Sequence, residues 1–196
     1  MPNPLPDAAL DQIFRAARSY NGYSDATVSE TELRAIYELV KMGPTSANCQ
    51  PLRIVWCVSE EAKAKLAALA SATNQAKILK APVTAIIGMD MAFYEKLPQL
   101  FPHADARSWF TSSPELAEQT AFRNSSLQGA YFILAARAIG LDTGPMSGFD
   151  NAAVDGAFFA GTTVKSNFIS TLGHGDPSTI FERLPRPEFE ETNSIA

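Results

Sequence analysis

The longest helix that the sequence predicts runs from about Pro114 to Ile139, and it constrains the fold more than any other segment. Its second half, which contains the run AYFILAA from Ala130 to Ala136, is apolar on nearly every side. A helix that covers one face of a small sheet needs only one apolar stripe. We therefore expect this helix to lie in the middle of the core or at a dimer interface.

Shorter helices and strands flank this segment, and local periodicity or capping residues indicate each of them. The predicted helices begin near Pro6–Asp7 with Asp7 as the cap, after a capping box at Ser29–Glu32, after Ser59 and at Asn74. The predicted strands are Arg53–Val58, Pro82–Met89 and Asn167–Gly173. Few strands, many helices and irregular connections indicate an α+β or α/β class.

The first two helices carry apolar residues at helical spacing. These residues are Leu10, Ile13, Phe14 and Ala17 in the first helix, and Leu33, Ile36, Tyr37 and Val40 in the second. Gly43 and Pro44 are expected to end the second helix, because Gly suits the left-handed position after a helix and Pro cannot continue one. The helix that Ser59 caps is expected to extend to about Ala70.

The bulk composition excludes several kinds of partner. Of 196 residues, 46% are hydrophobic and 19% are charged, which is typical of one globular domain over residues 1–196. A net charge of −5 argues against general attraction to nucleic acid or anionic membrane, so an anionic ligand needs a few local arginines. The first residues lack the pattern of a signal peptide, and no apolar run approaches the roughly 20 residues of a membrane span. We expect a cytoplasmic protein.

Several common kinds of catalytic site are not indicated. His103 and His174 lie far apart and no Cys/His spacing suits zinc, so we expect no metal site. The chain has no glycine-rich dinucleotide motif, no Walker loop and no Gly-x-Ser-x-Gly elbow. Cys49 and Cys57 make no disulfide framework. Cys49 has no visible base beside it, so we expect a small residue packed inward.

The loop between the second helix and the first strand is unusually small and polar. It reads KMGPTSANCQPLRIVW, from Lys41 to Trp56. Small residues let the backbone approach a flat ring, and Asn48 offers both donors and an acceptor to a ring edge. A loop that merely ends a helix would use similar turn-forming residues, so this composition alone leaves both interpretations open.

Together with three other segments, this loop resembles the nitroreductase family of FMN-dependent oxidoreductases. ARSYNGYS, from Ala17 to Ser24, resembles the family's R-R-S-x-R-x-F pattern, with Arg18, Ser19 and Asn21 at its second, third and fifth places. Ala17 and Asn21 replace basic residues of that pattern, so some phosphate contacts must come from elsewhere. GPTSANCQP resembles the family's P-S-x-x-N-x-Q-P-W loop, which implies flavin contacts for Pro44, Thr45, Ser46 and Asn48.

The other two segments lie in the last third of the chain. GPMSGFD resembles the family's P-x-x-G-F element, which implies flavin contacts for Pro145, Met146, Ser147 and Gly148, with backbone N–H groups of the last two directed at flavin N5 and O4. FERLPRPEF resembles the region that binds the flavin phosphate, through Arg183 or Arg186. Asn74 matches a position near the ribityl chain, and it could also cap its helix.

The resemblance implies a three-layer α+β fold, in which a small, mostly antiparallel sheet is surrounded by helices around a long central helix in an intertwined homodimer. It implies ping-pong chemistry, in which NADPH or NADH reduces FMN and an acceptor then takes a hydride from flavin N5. FPHADARSWF and FRNSSLQ, from Phe101 to Phe110 and Phe122 to Gln128, resemble the malonic semialdehyde reductases of uracil degradation. A general nitro or quinone reductase, a flavin-binding module without turnover and a scaffold without flavin are the alternatives.

Malonic semialdehyde reduction requires a proton donor and a clamp for the substrate carboxylate. No acid is obvious, and Ser147, a tyrosine, a water or the flavin ribityl hydroxyl are the candidates. A bidentate arginine is the natural clamp, and Arg107 and Arg123 are the candidates. Trp109 and Phe110, beside Arg107, are expected to wall the flavin face.

Overall fold

A four-stranded antiparallel sheet forms the centre of the computed structural model, which describes residues 3–196. The first two residues of the predicted 1–196 domain therefore lie outside the described part. The strands are β1 (Leu52–Cys57), β2 (Val83–Asp90), β3 (Asp142–Met146) and β4 (Val164–Gly173). Their order in the sheet is β1-β2-β4-β3, and each neighbouring pair is antiparallel.

Helices account for most of the remaining chain. They are α1 (Asp7–Leu10), α2 (Glu30–Val40), α3 (Glu60–Ala67), α4 (Ala72–Lys80), α5 (Leu97–Leu100), α6 (Ser108–Thr111), α7 (Pro114–Ala138), α8 (Asn151–Phe158) and α9 (Phe189–Thr192). A wider π-helical turn continues α1 over Asp11–Arg15, and short 3-10 turns occupy Ser46–Asn48, Phe93–Lys96 and Pro177–Thr179. Within the described residues, every helix falls short of the length and apolar character that crossing a membrane requires.

The layers follow from the two-residue alternation of the central strand β2. Val83, Ala85 and Ile87 pack with residues of α2 and α7 on one face of the sheet. Ile86 points the other way and packs with residues of α3, α4 and α8. The architecture is therefore helices, sheet, helices, and the predicted α+β class with a small antiparallel sheet is confirmed.

The long helix α7 lies between α2 and the sheet, as its composition predicts. Phe132, Ala135 and Ala136 belong to the same buried cluster as apolar residues of α2, β1 and β2. Gly129 allows the close approach, because a Cβ there would collide with the ring of Phe168 on β4. Other apolar residues of α7 are exposed in the single protomer: Leu116, Phe122, Leu127 and Tyr131.

Strand β3 is absent from the sequence-based prediction, which named three strands. Gly144 and Pro145 are poor strand formers, and they hid the strand. The strand forms because it is an edge strand that pairs only with β4. An edge position tolerates proline, since the missing N–H need not face a second neighbour.

Several local predictions about the helices are wrong. Asp7 is not the cap of α1, because Pro6 precedes the helix and the Asp7 carboxylate pairs with Arg15 at 2.7 Å. Phe14 and Tyr37, predicted as apolar contacts, are exposed in the protomer. Two predicted helix starts are confirmed: Ser29 caps α2 in a capping box with Glu32, and the Ser59 side chain caps α3 by accepting from the Ala62 N–H.

Gly43 and Asn74 have roles that local sequence rules did not predict. Gly43 does not adopt the left-handed conformation. In the loop that follows α2, a positive φ is found instead at three residues that are not glycine: Ala47, Asn48 and Gln50. Gly43 is a glycine because a Cβ would lie 2.9 Å from the ring of Tyr131.

Asn74 is not the cap of α4, since Ser71 precedes the helix and Asn74 lies inside it. Other boundaries also differ: β1 runs one residue earlier than predicted, β2 one residue later, and β4 begins three residues before the prediction. Helix α3 ends at Ala67 and not near Ala70, and α4 begins two residues before Asn74.

Candidate functional site

The end of the first helix, the last turn of α7 and the C-terminal segment enclose a cavity of about 390 Å³ that is rich in arginine. We call it the arginine pocket. Its polar lining residues are Arg18, Ser19, Arg137, Glu182, Arg183 and Arg186. Four guanidinium groups against one carboxylate make it a site for an anion, in a chain whose net charge is −5.

Each of the four arginines donates at least one hydrogen bond to a backbone carbonyl. Arg18 Nη2 donates to the carbonyl of Phe181, so the first helix segment is tied to the C-terminal segment. Arg183 Nη2 donates in the opposite direction, to the carbonyls of Arg15 at 2.8 Å and Ala17 at 3.0 Å. Each guanidinium carries five N–H donors, so these bonds fix the side chains and leave donors for an anion such as phosphate.

Strand β3 positions the start of this pocket. Ser19 pairs with Thr143 in an isolated parallel bridge, and the Tyr20 N–H donates to the Thr143 carbonyl at 3.0 Å. Gly144 makes room for this contact, because a Cβ there would lie 2.5 Å from the Tyr20 carbonyl oxygen. The glycine of the GPMSGFD segment thus sets the place of Arg18 and Ser19, which precede Tyr20.

Arg137 belongs to the arginine pocket, and sequence reasoning missed it. Its Nη1 donates to the carbonyl of Ile13 at 2.9 Å, while its Nε is buried without an acceptor among the described residues. Burial lowers the pKa of Arg137, and nearby Asp142 partly opposes that effect. A basic residue in the last turn of a long helix was the available signal, but it equally indicates a favourable interaction with the helix dipole.

A second cavity, of about 340 Å³, lies between β3 and the middle of α7. It brings together Pro145, Met146 and Ser147 with small and apolar residues of α7 and β4: Ser126, Ala130, Ile133 and Phe168. The N–H groups of Ser147 and Gly148 donate no hydrogen bond to any of residues 3–196. Two adjacent free donors beside a small apolar cavity suit the polar edge of a flat ring.

Asn74 and Ser71 of the α4 start hold this turn. The Gly148 carbonyl accepts from Asn74 Nδ2 at 3.0 Å and from the Ser71 N–H at 2.9 Å. A Cβ on Gly148 would lie 2.8 Å from both Asn74 Nδ2 and Ser71 Oγ, so only glycine fits without a shift. Asn74 therefore acts on the GPMSGFD turn across a long sequence separation, which no local motif reveals.

The loop from Pro44 to Asn48 is attached near the middle of α7. The Ser46 N–H donates to Asn124 Oδ1 at 2.8 Å, and the Gln50 N–H donates to Thr45 Oγ1 at 3.3 Å. Asn48 Nδ2 donates to the Leu100 carbonyl at 2.9 Å. Ala47, Asn48 and Gln50 all have positive φ, a strained arrangement that is typical of functional loops.

The predicted cofactor residues therefore form three groups within one protomer: those of the arginine pocket, those of the Pro145–Gly148 turn with Asn74, and those of the Pro44–Asn48 loop. Asn124, which holds the loop, and Arg137, which lines the arginine pocket, are separated by about 20 Å along α7 at 1.5 Å per residue. Asn21 joins none of these groups: its Nδ2 donates to the Thr179 carbonyl at 2.9 Å, and it does not line the arginine pocket.

The predicted substrate residues lie on the segment that leads into α7 and on α7 itself. Arg107 makes two 2.8 Å contacts with the carboxylate of Glu95, so its fork is occupied. Phe110 is buried in an aromatic cluster with Phe93, at 4.9 Å between ring centroids, while Trp109 is half exposed. Arg123 is exposed and forms no ion pair within the described residues.

The cysteines and the side chains that could bind a metal are the remaining groups with possible chemistry. Cys49 and Cys57 are free and buried, and burial raises the pKa of each thiol to about 11. Neither is suited to act as a nucleophile near neutral pH. Over residues 3–196, no cluster of histidine, cysteine and carboxylate side chains has the arrangement to hold a metal ion.

Comparisons with known proteins give a consistent answer. Residues 1–162 match the sequence model described as the nitroreductase family. A protein of Burkholderia lata, provisionally named an NADH dehydrogenase/NAD(P)H nitroreductase, is 59% identical over 191 residues, which are 97% of this chain and 98% of that protein.

Solved structures show the same fold. A protein of Bacillus subtilis, provisionally named the nitroreductase ydfN, matches 97% of this chain and 100% of its own with a TM-score of 0.87 at 20% identity. A provisionally named nitroreductase of Exiguobacterium sibiricum, solved in complex with FMN, matches all of both chains with a TM-score of 0.82 at 20% identity.

Proposed function

Because the chain belongs to the nitroreductase family, we propose that it is an FMN-dependent oxidoreductase that takes electrons from NADH or NADPH. The observation that carries this proposal is the arginine pocket, where four guanidinium groups meet around one cavity. Guanidinium groups bind phosphate through paired, charge-assisted hydrogen bonds, and FMN carries one phosphate. The FMN in the Exiguobacterium sibiricum structure and the NAD(P)H in the name of the Burkholderia lata relative support the same assignment.

The residues of this chain fit such a cofactor at both of its ends. Arg18, Arg183 and Arg186 would hold the phosphate, together with Ser19. The free N–H groups of Ser147 and Gly148 would meet the polar edge of the ring, and Asn74 would keep that turn in place. FMN, when bound, supplies the hydride chemistry, which is why the buried thiols have no part to play.

A homodimer would bring the Pro44–Asn48 loop to the other proposed cofactor residues. Within one protomer, the Pro44–Asn48 loop and the arginine pocket attach to α7 at points about 20 Å apart, at 1.5 Å per residue. Exposed apolar residues on α7 offer a surface for a second copy: Leu116, Phe122, Leu127 and Tyr131. In such a dimer, the loop of one protomer would complete the flavin site of its partner.

The physiological acceptor that we propose is malonic semialdehyde, which would be reduced to 3-hydroxypropionate in uracil degradation. Support comes from the resemblance of Phe101–Phe110 and Phe122–Gln128 to reductases of that aldehyde. The substrate carboxylate needs a cation, and among residues 3–196 Arg123 has no ion-pair partner, while Arg107 already pairs with Glu95. A substrate held by Arg107 must therefore compete with that carboxylate. The Ser147 hydroxyl, on an exposed turn, is the candidate proton donor.

A general nitro or quinone reductase is the second candidate function. The name of the Burkholderia lata relative favours it. Reduced flavins transfer hydride readily to such acceptors, whereas a plain aldehyde is a harder acceptor. A flavin-binding module without turnover is a further possibility, and it differs from both enzymes because it would not be reduced by a nicotinamide.

One anaerobic experiment separates these functions. The purified protein is loaded with FMN, mixed with NADPH or NADH, and then given malonic semialdehyde or a quinone while the visible spectrum is followed. We expect the flavin absorbance to bleach with the nicotinamide and to return with malonic semialdehyde. Return with quinone or nitro compounds alone would favour the second candidate, and a flavin that stays oxidised would contradict both enzymes. Free FMN treated in the same way is the control.

A further inference from the structure

We propose that Arg137 is a phosphate-binding residue that makes flavin binding by this chain selective for FMN over riboflavin. The inference rests on the proposed function, since it assigns a further residue to the same cofactor. The residues after α1 supply little positive charge to the arginine pocket. Arg18 is the cation that they contribute, because Ala17 lines the pocket without a charge and Asn21 does not line it. Arg137 reaches the pocket from α7.

The unpaired edge of the Arg137 guanidinium is the first observation. Nη1 is used by the Ile13 carbonyl, whereas Nε is buried without an acceptor and Nη2 donates to none of the described residues. Nη2 is therefore the donor of Arg137 that is left for an anion in the pocket, where it can form a charge-assisted hydrogen bond to a phosphate oxygen. Nε lies on the same edge of the guanidinium but is buried, so the contact with an anion in the pocket falls to Nη2.

The charges around Arg137 are the second observation. Arg183 lies near enough to repel it, and Asp142 lies near enough to attract it. Asp142 forms no ion pair with Arg137 within the described residues, and its Oδ2 accepts from the Gly175 N–H at 3.0 Å. Glu182 is the acidic lining residue of the pocket itself. The cluster therefore remains cationic, and the partly buried Arg137 faces little competition from protein carboxylates.

A purely structural role predicts different behaviour. Arg137 lies in the last turn of α7, where a cation interacts favourably with the helix dipole, and its bond to Ile13 ties α7 to the first helix segment. If these were its only roles, removing the charge would change stability and would affect FMN and riboflavin equally. A phosphate contact instead predicts a loss for FMN alone, because riboflavin has the same ring and ribityl chain but no phosphate.

The test compares the affinity of the whole protein for FMN and for riboflavin by quenching of flavin fluorescence. Arg137→Gln removes the charge but keeps an amide donor for the Ile13 carbonyl, and Arg137→Lys keeps a charge without the fork. Arg34→Gln is the matched control, because exposed Arg34 pairs with Glu30 on α2 and does not line the pocket. Thermal unfolding of each variant without flavin checks that it is folded.

We expect Arg137→Gln to weaken FMN binding by about 10- to 100-fold, which is the usual range for a hydrogen bond to a charged group, and riboflavin binding by less than about 3-fold. Arg137→Lys should fall between the wild type and Arg137→Gln, and Arg34→Gln should match the wild type. Added salt should reduce the difference.

Unchanged FMN affinity in Arg137→Gln, or equal losses for both flavins, would overturn the inference while the proposed function stands. If Arg137→Gln does not fold, Arg137→Lys decides by the same FMN-to-riboflavin ratio. Failure of the wild type to bind either flavin would overturn the proposed function, and this inference with it.

Discussion

Asp142, at the start of β3, shows how one buried residue makes stability depend on pH. Its carboxylate is half-buried and accepts a hydrogen bond from the Gly175 N–H at 3.0 Å. Burial raises the pKa of Asp142, and this outweighs the lowering by that hydrogen bond and by the charges of Arg137 and His174. The folded protein therefore holds the Asp142 proton to higher pH than the unfolded chain does.

The sign of the resulting pH dependence is testable with Asp142→Asn. Because the folded pKa lies above the unfolded value of about 3.9, the contribution of Asp142 to stability is full below about pH 3.9 and is lost as the pH rises through the folded pKa. The asparagine variant cannot ionise, so its free energy of unfolding relative to wild type should rise between about pH 4 and pH 7. Urea denaturation at a series of pH values measures this difference.

Asp176→Asn is the control with the opposite sign. Hydrogen bonds from the Ser178 N–H and hydroxyl lower the pKa of exposed Asp176, so its contribution is present above the unfolded pKa and is lost as the pH falls. An Asp142→Asn difference that is flat, or that falls with rising pH, would contradict the assignment of burial as the dominant cause.

At the scale of elements, the contact between β3 and the residues after α1 carries the arginine pocket. The Ser19–Thr143 bridge and the Tyr20–Thr143 hydrogen bond place Arg18 beside the C-terminal segment. Gly144 cannot carry a side chain in this contact. A Cβ at this position would meet the backbone carbonyl oxygen of Tyr20, which cannot rotate away.

Gly144→Ala should therefore both destabilise the protein and weaken FMN binding. The new Cβ would lie 2.5 Å from the Tyr20 carbonyl oxygen and from Thr171 Oγ1. Overpacking of this kind costs about 1–3 kcal/mol in the free energy of unfolding. Chemical denaturation measures the first effect, and flavin fluorescence measures the second.

Gly156→Ala, in α8, is the matched control. No atom lies within 4 Å of a Cβ at this position, so the alanine should stabilise the helix by roughly 0.4–1 kcal/mol and leave FMN binding unchanged. A Gly144→Ala variant as stable as wild type, with normal FMN affinity, would show that β3 does not position the pocket.

Helix α7 contacts the Pro44–Asn48 loop near its middle and the arginine pocket at its last turn. Buried polar side chains near its middle hold the loop and the start of β1: Asn124 Oδ1 accepts from the Ser46 N–H, and Gln128 Oε1 accepts from the Leu52 N–H at 3.0 Å. Its second half buries apolar residues under α2 and ends at Arg137 in the arginine pocket. One continuous helix thus fixes the spacing of two parts of the site.

At the scale of the whole molecule, the exposed apolar surface of α7 predicts a homodimer. We expect sedimentation to give twice the protomer mass of 21.2 kDa, and Leu127→Glu to shift the protein towards the monomer. Leu127 is a residue of α7 whose side chain is 46% exposed, and α7 lies on one side of the sheet. A charge there would be buried without a partner on association.

Leu79→Glu is the matched control, because Leu79 is 44% exposed on α4, on the other side of the sheet. It should leave the mass and the FMN affinity unchanged, whereas Leu127→Glu should lose FMN affinity together with the dimer if the loop acts in its partner's site. A wild-type protein that sediments as a monomer at micromolar concentration would contradict the dimer.

The sequence by itself determined the elements whose signals are local. Three helices were predicted correctly, because their signals depend on contacts within a few residues. These signals are the Ser29 capping box of α2, the Ser59 cap of α3 and the helical composition of the 25-residue α7. Buried strand β2 was readable for the same reason, since every residue from Val83 to Met89 is apolar or small. The motifs also named the residues that we propose for the cofactor, apart from Arg137.

Only the tertiary structure decided which of those residues meet. Arg18 and Phe181 are 163 positions apart, and Asn74 and Gly148 are 74 apart, so no local rule brings them together. Strand β3 exists because β4 provides its hydrogen bonds, although its own residues favour a turn. The arginine pocket arises from long-range packing of three segments, and although the family resemblance linked the first and the last of them, only the packing shows that Arg137 joins them.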